Sequence, residues 1–215
     1  MDNRHTKSGW LTALSLLLLL WLGHTGNLLA AELISLDVDH ESGIYTVRLT
    51  VELDVTAEHV QQVLTNYRQL HRINPSITES HTLPSPGNGI VRVFTRMENC
   101  VLFFCVGFSR VEDISRSASG DLIAVIVPEQ SDFEAGTALW QITERGEHTL
   151  LVYEASMQPG FFIPPMIGSY IVKNKIRNEL LTSINRIECC ASSERWLSKH
   201  ASGTGSVRLR RSASC

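Results

Sequence analysis

From Met166 to Ile187, apolar side chains recur at three- and four-residue steps: Val172, Ile176, Leu180, Ile184 and Ile187. Lys173, Lys175, Arg177 and Glu179 lie off that line. This spacing predicts a long amphipathic helix with one narrow greasy stripe. Such a helix gains most of its stability from packing the stripe on something else. The preceding chain must therefore supply an apolar surface, and its own periodicity says of what kind.

That periodicity is two. In residues 44–54, Val47, Leu49, Val51 and Leu53 share one face and polar residues the other, the pattern of a half-buried strand. Asp54-Val-Thr56-Ala-Glu58 then opens a helix with Thr56 at the N-cap, carrying Val60, Val63, Leu64 and Tyr67 at helical spacing. Leu70, His71 and Ile73 continue as a short second helix, ended by Asn74-Pro75. After the turn cluster Pro84–Gly89, strands are predicted over 90–97, 101–114, 122–127, 138–143 and 149–157, with turns at Ser117–Asp121 and Arg145–Glu147. Short strands joined by tight turns indicate an antiparallel meander. Pro159 to Pro165 separate it from the final helix. The order is strand, two short helices, about six strands and a long helix, which places the chain in the α+β class.

The two ends fall outside that domain. Arg4 and Lys7 precede the greasy run Trp10 to Leu22, and Leu29-Ala30-Ala31 offers small residues for cleavage. Trp10 to Leu22 is short for a hydrocarbon core of ~30 Å at ~1.5 Å per residue. Residues 1–31 are accordingly expected to be a signal peptide, placing the protein in the periplasm or outside the cell; the alternative is an uncleaved N-terminal membrane anchor. The domain is expected over 32–190, and 191–215, rich in Ser, Gly and Arg, as a disordered tail. Net charge is −3 and the only basic cluster is Arg208, Arg210 and Arg211, so no nucleic-acid partner is indicated.

Export also bears on the five cysteines. They form no CxxC or Cys/His pattern, so no metal site is expected. On one straight strand Cys100 and Cys105 would be ~16 Å apart. They are the candidate disulfide, and can bridge only if the segment between them turns back or bulges. Cys189 and Cys190, adjacent on a helix, are expected as free thiols.

Three stretches carry a resemblance to a known group: Asp54 to Tyr67 with Leu70 and Asn74-Pro75, then Trp140-Gln-Ile-Thr with Thr149 to Glu154, then the proline-rich entry Pro159 to Pro165. Together with the element order over residues ~44–190, they resemble the START-like (SRPBCC, helix-grip) superfamily, in particular polyketide cyclase/dehydrase and coenzyme-Q-binding members. The resemblance implies a curved antiparallel sheet wrapped around a long C-terminal helix, with an apolar cavity between them. It implies binding, transport or sequestration of a hydrophobic small molecule: a lipid, a quinone or a polycyclic aromatic. The alternative is a cyclase/dehydratase-type enzyme acting on a bound aromatic or polyketide-like substrate. No cofactor is implied.

The candidate ligand-binding residues are Val91, Val93 and Met97, Trp140 and Tyr153, Phe162 and Met166, and Tyr170 and Val172. Trp140 and Tyr153 stand out because each joins an apolar body to a polar tip that needs a partner when buried. The Phe161–Met166 cluster would form the cavity mouth or a lip in transient contact with a membrane. Arg92, Arg96 and Glu98 alternate with Val91, Val93 and Met97 and are expected to face outward in cross-strand ion pairs. His71 is a weak candidate base, and no GxSxG, HExxH or phosphate-binding glycine motif is present. No catalytic residue is assigned.

Overall fold

The structure is a computed structural model; it describes residues 31–101, 104–163 and 168–201, with side chains taken no further than residue 190. Eight strands form one antiparallel sheet: β1 (Glu32–Glu41), β2 (Ile44–Leu53), β3 (Ile77–Thr82), β4 (Val91–Val101), β5 (Phe104–Arg116), β6 (Leu122–Ile126), β7 (Phe133–Arg145) and β8 (His148–Pro159). The helices are α1 (Ala57–Thr65), a 3-10 turn over Leu70–Arg72, and α2 (Gly168–Ala201). Strand order is β1-β2-β8-β7-β6-β5-β4-β3, so β3 to β8 run as a meander and β2 closes on β8.

Register carries one apolar face across the whole sheet. Leu36 lies opposite Leu49, Leu49 opposite Tyr153, Tyr153 opposite Trp140, and Trp140 opposite Leu122. On the far side Ile114 pairs with Val91, Glu112 with Val93, and Met97 with Phe108. Because strand side chains alternate, this face collects every second residue, and the other face keeps Arg48, Glu154 and the half-exposed Val125 in solvent. Gly136 belongs to the inner face, where a Cβ would come within 2.5 Å of Ile126 Cδ1 and 2.9 Å of the Ser156 carbonyl oxygen. Only glycine lets β6 and β8 approach β7 so closely there.

Helix α2 lies over this face and packs on α1 and β1. Polar contacts pin it at its margins. Glu188 accepts the amide of Ala31 (3.0 Å) and that of Asp54 (2.8 Å), holding the start of β1 and the end of β2 to one carboxylate. Arg177 Nη1 donates to the Leu36 carbonyl (2.9 Å), covering an acceptor on the edge strand β1, and the Ser76 hydroxyl donates to Glu179 (2.7 Å).

Several expectations need correction. The strand β1 was not anticipated: it buries only Leu36 and Val38, too few positions to stand out, and is held by its pairing with β2. Strand β3 was likewise missed; of its residues only Ile77 is buried. The strand-rich run 101–114 holds the end of β4 at Val101 and β5 from Phe104, with the chain reversing between the two. That reversal sets Cys100 opposite Cys105, Cα atoms 4.0 Å apart, in a disulfide. Cys189 is disulfide-bonded rather than a free thiol. Thr56 does sit at the N-cap of α1, but makes no capping bond; its hydroxyl pairs with His59 Nδ1 instead (2.5 Å). Helix α2 continues to Ala201, into the stretch expected to lack regular structure, because no proline or glycine intervenes before Gly203 and Ala191, Glu194, Arg195, Leu197 and Lys199 are good helix formers.

Candidate functional site: two hollows beneath the long helix

Apolar residues of α2 that face the sheet divide into two groups. Ile184 and Ile187 are buried, whereas Val172, Ile176 and Leu180 are only partly so. Side chains pointing inward yet still accessible must border open space, and two hollows account for them. The larger, about 170 Å³, lies under Leu180, Ile184 and Ile187, with Leu49, Val93 and Leu151 among its walls and Tyr67, Leu70 and Ile73 closing one side. The smaller, about 120 Å³, lies under Val172 and Ile176, between Tyr45, Met157, Phe108 and Phe161. Phe108 stacks on Phe161 (5.1 Å between centroids) while Phe133 meets both edge-on, giving this end a rigid aromatic wall.

The larger hollow is not wholly greasy. Arg110 and Glu112, two apart on β5, both point into it, with Arg110 Nε 3.1 Å from Glu112 Oε2. Their side chains are 22% and 9% exposed. Arg110 Nε makes no aligned hydrogen bond, so its proton is held by charge attraction alone. Tyr153 shares the hollow and lies 5.1 Å from the Trp140 ring. Burial pushes the Tyr153 phenol up to about 12; Arg110 pulls it down and Glu112 pushes it further up. The phenol is therefore a neutral donor and acceptor at any physiological pH. The chemistry available is one compensated ion pair and one neutral hydroxyl in an otherwise apolar chamber.

Val93, Trp140 and Tyr153 line the larger hollow, and Phe162 and Val172 the smaller. Met97 is buried on the inner face but lines neither, and Val91 packs against the core outside both. Tyr170 is 73% exposed on the outer side of α2, which corrects its placement at the site: it stands two residues from Val172, across the helix. Met166 lies outside the described residues. Arg92 faces outward and pairs with Asp113 across the ladder through two 2.7 Å bonds; these hold the Asp113 carboxyl below the usual carboxylate range. Arg96, Glu98 and His71 are exposed and take no part.

Sequence reasoning missed Arg110 and Glu112. The signal was available: Phe108, Arg110, Glu112 and Ile114 alternate with Ser109, Val111 and Asp113. Val111, however, is apolar and also buried, so polarity does not separate the two faces of β5. Among the described residues, no group of His, Cys, Asp and Glu could hold a metal ion, and no helix is long and apolar enough to cross a membrane.

A bent antiparallel sheet gripping a long helix over an apolar chamber is the architecture of the START-like proteins, and comparison with solved structures agrees. The chain is similar to a START superfamily protein from Mycobacterium smegmatis, with 17% identity over 69% of this chain and 98% of that one and a TM-score of 0.56. It is similar to the Zhui aromatase/cyclase from Streptomyces sp. R1128 at 16% identity, 74% and 99% coverage and a TM-score of 0.55. The human StAR-related lipid transfer protein 5 matches at 10% identity, 87% and 97% coverage and a TM-score of 0.53. No family model matches the sequence, and no curated protein is similar to it at the sequence level. The chain has the START-like, helix-grip α+β fold.

Proposed function

We propose that this protein is an exported carrier that binds a hydrophobic small molecule between the sheet and α2, for transport or sequestration rather than conversion. The observation that carries this is the larger hollow: an apolar chamber whose embedded charges, Arg110 and Glu112, neutralise each other. Burying a further, uncompensated charge there would be costly. The chamber therefore favours a molecule that is mostly hydrocarbon with an uncharged polar group. A hydroxyl or carbonyl could accept from Arg110, and a hydroxyl could also donate to Glu112. Lipids, quinones and polycyclic aromatics with such groups all meet the requirement.

Export rests on the N-terminal run Trp10 to Leu22 and is consistent with the Cys100–Cys105 disulfide, a bond that persists in oxidising compartments. The test is to purify the protein from the periplasm or medium, extract it with organic solvent, and identify what leaves by mass spectrometry. We expect a reproducible apolar compound carrying one neutral polar group. A protein that is empty on extraction and also fails to bind fluorescent lipids and quinones would rule the carrier reading out.

A second reading, a cyclase/dehydratase-type enzyme, is favoured by one observation: a carboxylate, Glu112, and a phenol, Tyr153, both line the chamber. Against it, Glu112 is already engaged by Arg110, whereas a general acid or base needs a proton free to move. Turnover of a polyketide-like ketone that is abolished by Glu112→Gln would favour the enzyme.

A further inference from the structure

Asn99 is an unusual residue for the place it holds. It follows Val93, Thr95 and Met97 on the inward face of β4, stands opposite Val106, and forms part of the wall of the smaller hollow. Asparagine is disfavoured in strands. Its Oδ1 is shut off from water, and among the described residues nothing donates a hydrogen bond to it. An acceptor buried without a donor is costly, and a leucine of about the same size would fill the position with no polar atom to satisfy. The charged groups at this hollow are engaged elsewhere. Lys175 Nζ lies 3.2 Å from Glu179 Oε1, and the same oxygen accepts from the Ser76 hydroxyl at 2.7 Å. The amide of Asn99 is thus the polar group here that still needs a partner.

Much of the wall around it is aromatic. Phe108 and Phe161 stack, Phe133 meets both edge-on, and Tyr45 and Phe162 add to them. Ring faces and edges so arranged favour a further ring in offset or edge-on contact. An apolar cavity of about 150 Å³ is enough for benzene. At about 120 Å³ this hollow has the size for one six-membered ring, not two. The last torsion of asparagine is broad, so the amide can turn its oxygen toward the hollow at little cost. A ring that enters with a hydroxyl then gives Oδ1 the proton it lacks.

We propose that the smaller hollow recognises a single phenolic ring, and that Asn99 selects for it by accepting a hydrogen bond from the phenol hydroxyl. This rests on the carrier reading and narrows its ligand to a phenol or a hydrophobic molecule ending in one.

Three probes of one size test it: 4-fluorophenol, which can donate a proton, 4-fluoroanisole, which can only accept one, and 4-fluorotoluene, which does neither. Affinities are read by fluorine NMR titration of the natural protein and of Asn99→Leu and Val172→Trp, each first shown to be folded by its thermal transition. Asn99→Leu should lower the ratio of fluorophenol to fluorotoluene affinity about tenfold, the worth of a hydrogen bond to an otherwise unpaired buried acceptor. The ratio of fluoroanisole to fluorotoluene should stay within about twofold. The same variant should melt no lower than the natural protein, because it sheds a polar atom that nothing in the protein satisfies. Val172→Trp, which fills the smaller hollow, should abolish fluorophenol binding; if that variant does not fold, Asn99→Leu alone decides. A fluorophenol ratio unmoved by Asn99→Leu, a clear loss of stability in that variant, or fluorophenol binding that survives Val172→Trp would overturn the phenol site. So would a natural protein that binds fluorescent lipid but none of the three probes. All four results leave the carrier reading intact. A natural protein that binds neither the probes nor any fluorescent lipid would bring down both.

Discussion

Arg110 and Glu112 show how a pair of charges is tolerated in an apolar chamber. Each would be costly alone, and their value lies in cancelling each other. Glu112→Ala leaves Arg110 uncompensated in a site where it keeps only 22% exposure, and should cost about 2–4 kcal/mol in urea denaturation. Replacing both, Arg110→Met with Glu112→Leu, should restore stability to within about 1 kcal/mol of the natural protein or exceed it. The double variant should also lose its preference for ligands with a polar group over plain hydrocarbons. If it is as unstable as the single change, the pair is not what holds that part of the core.

Tyr153 has a pH signature of its own. Its phenol titrates near 12 in the folded protein against an ordinary value near 10, chiefly because burial disfavours the phenolate. Below about pH 10 the group is protonated in folded and unfolded chains alike, and its contribution to stability is fully present. As pH rises from about 10 to about 12 the unfolded chain ionises first, so stability falls across that window. Tyr153→Phe should flatten the fall, measured as unfolding midpoint against pH. The difference between the two proteins isolates Tyr153 from Tyr45 and Tyr67, whose phenols burial also raises. Identical pH profiles would show that the hollow is wet enough to solvate the phenolate.

At the scale of elements, the question is what holds α2 over a space it does not fill. Its apolar stripe packs tightly only at Ile184 and Ile187, so the contacts at its margins matter more than in a solid core. Glu188 is central, because one carboxylate takes amide protons from two separate segments, at Ala31 and Asp54. Glu188→Ala removes both acceptors and should cost about 1–3 kcal/mol, seen as a lower urea midpoint. Glu188→Gln keeps one acceptor oxygen and should cost less. Equal stability of all three proteins would mean that the helix is seated by its apolar contacts alone.

Across the whole molecule, the unfilled space makes stability depend on occupancy. Dispersion contacts missing around an empty hollow are regained when a ligand fits, and a ligand that binds only the folded chain stabilises it by mass action. Delipidated protein should therefore melt at a lower temperature than protein as purified. Adding a binding lipid at a hundred times its Kd should restore about 2.7 kcal/mol. A transition indifferent to extraction and to added lipid would show that nothing occupies the hollow.

Periodicity alone located the meander from β4 to β8, the helical stripe from Val172 to Ile187, and the inward face of β4 through Val93 and Met97. Those features are local, since alternation and three-to-four spacing follow from backbone geometry whatever lies opposite. Edge strand β1, with two buried residues, and the reversal that joins Cys100 to Cys105 depend on pairing with distant chain and leave little trace in any short window. The same is true of the site. Trp140 and Tyr153 were legible as amphipathic aromatics, but the inward turn of Arg110 and Glu112 was hidden because Val111, on the other face of their strand, is apolar and buried too. A hollow has no sequence signature at all: a stripe packed on side chains and a stripe facing empty space read identically. Only the standoff of α2 from the sheet at Val172, Ile176 and Leu180, decided by what its margins touch, separates a chamber from an ordinary core.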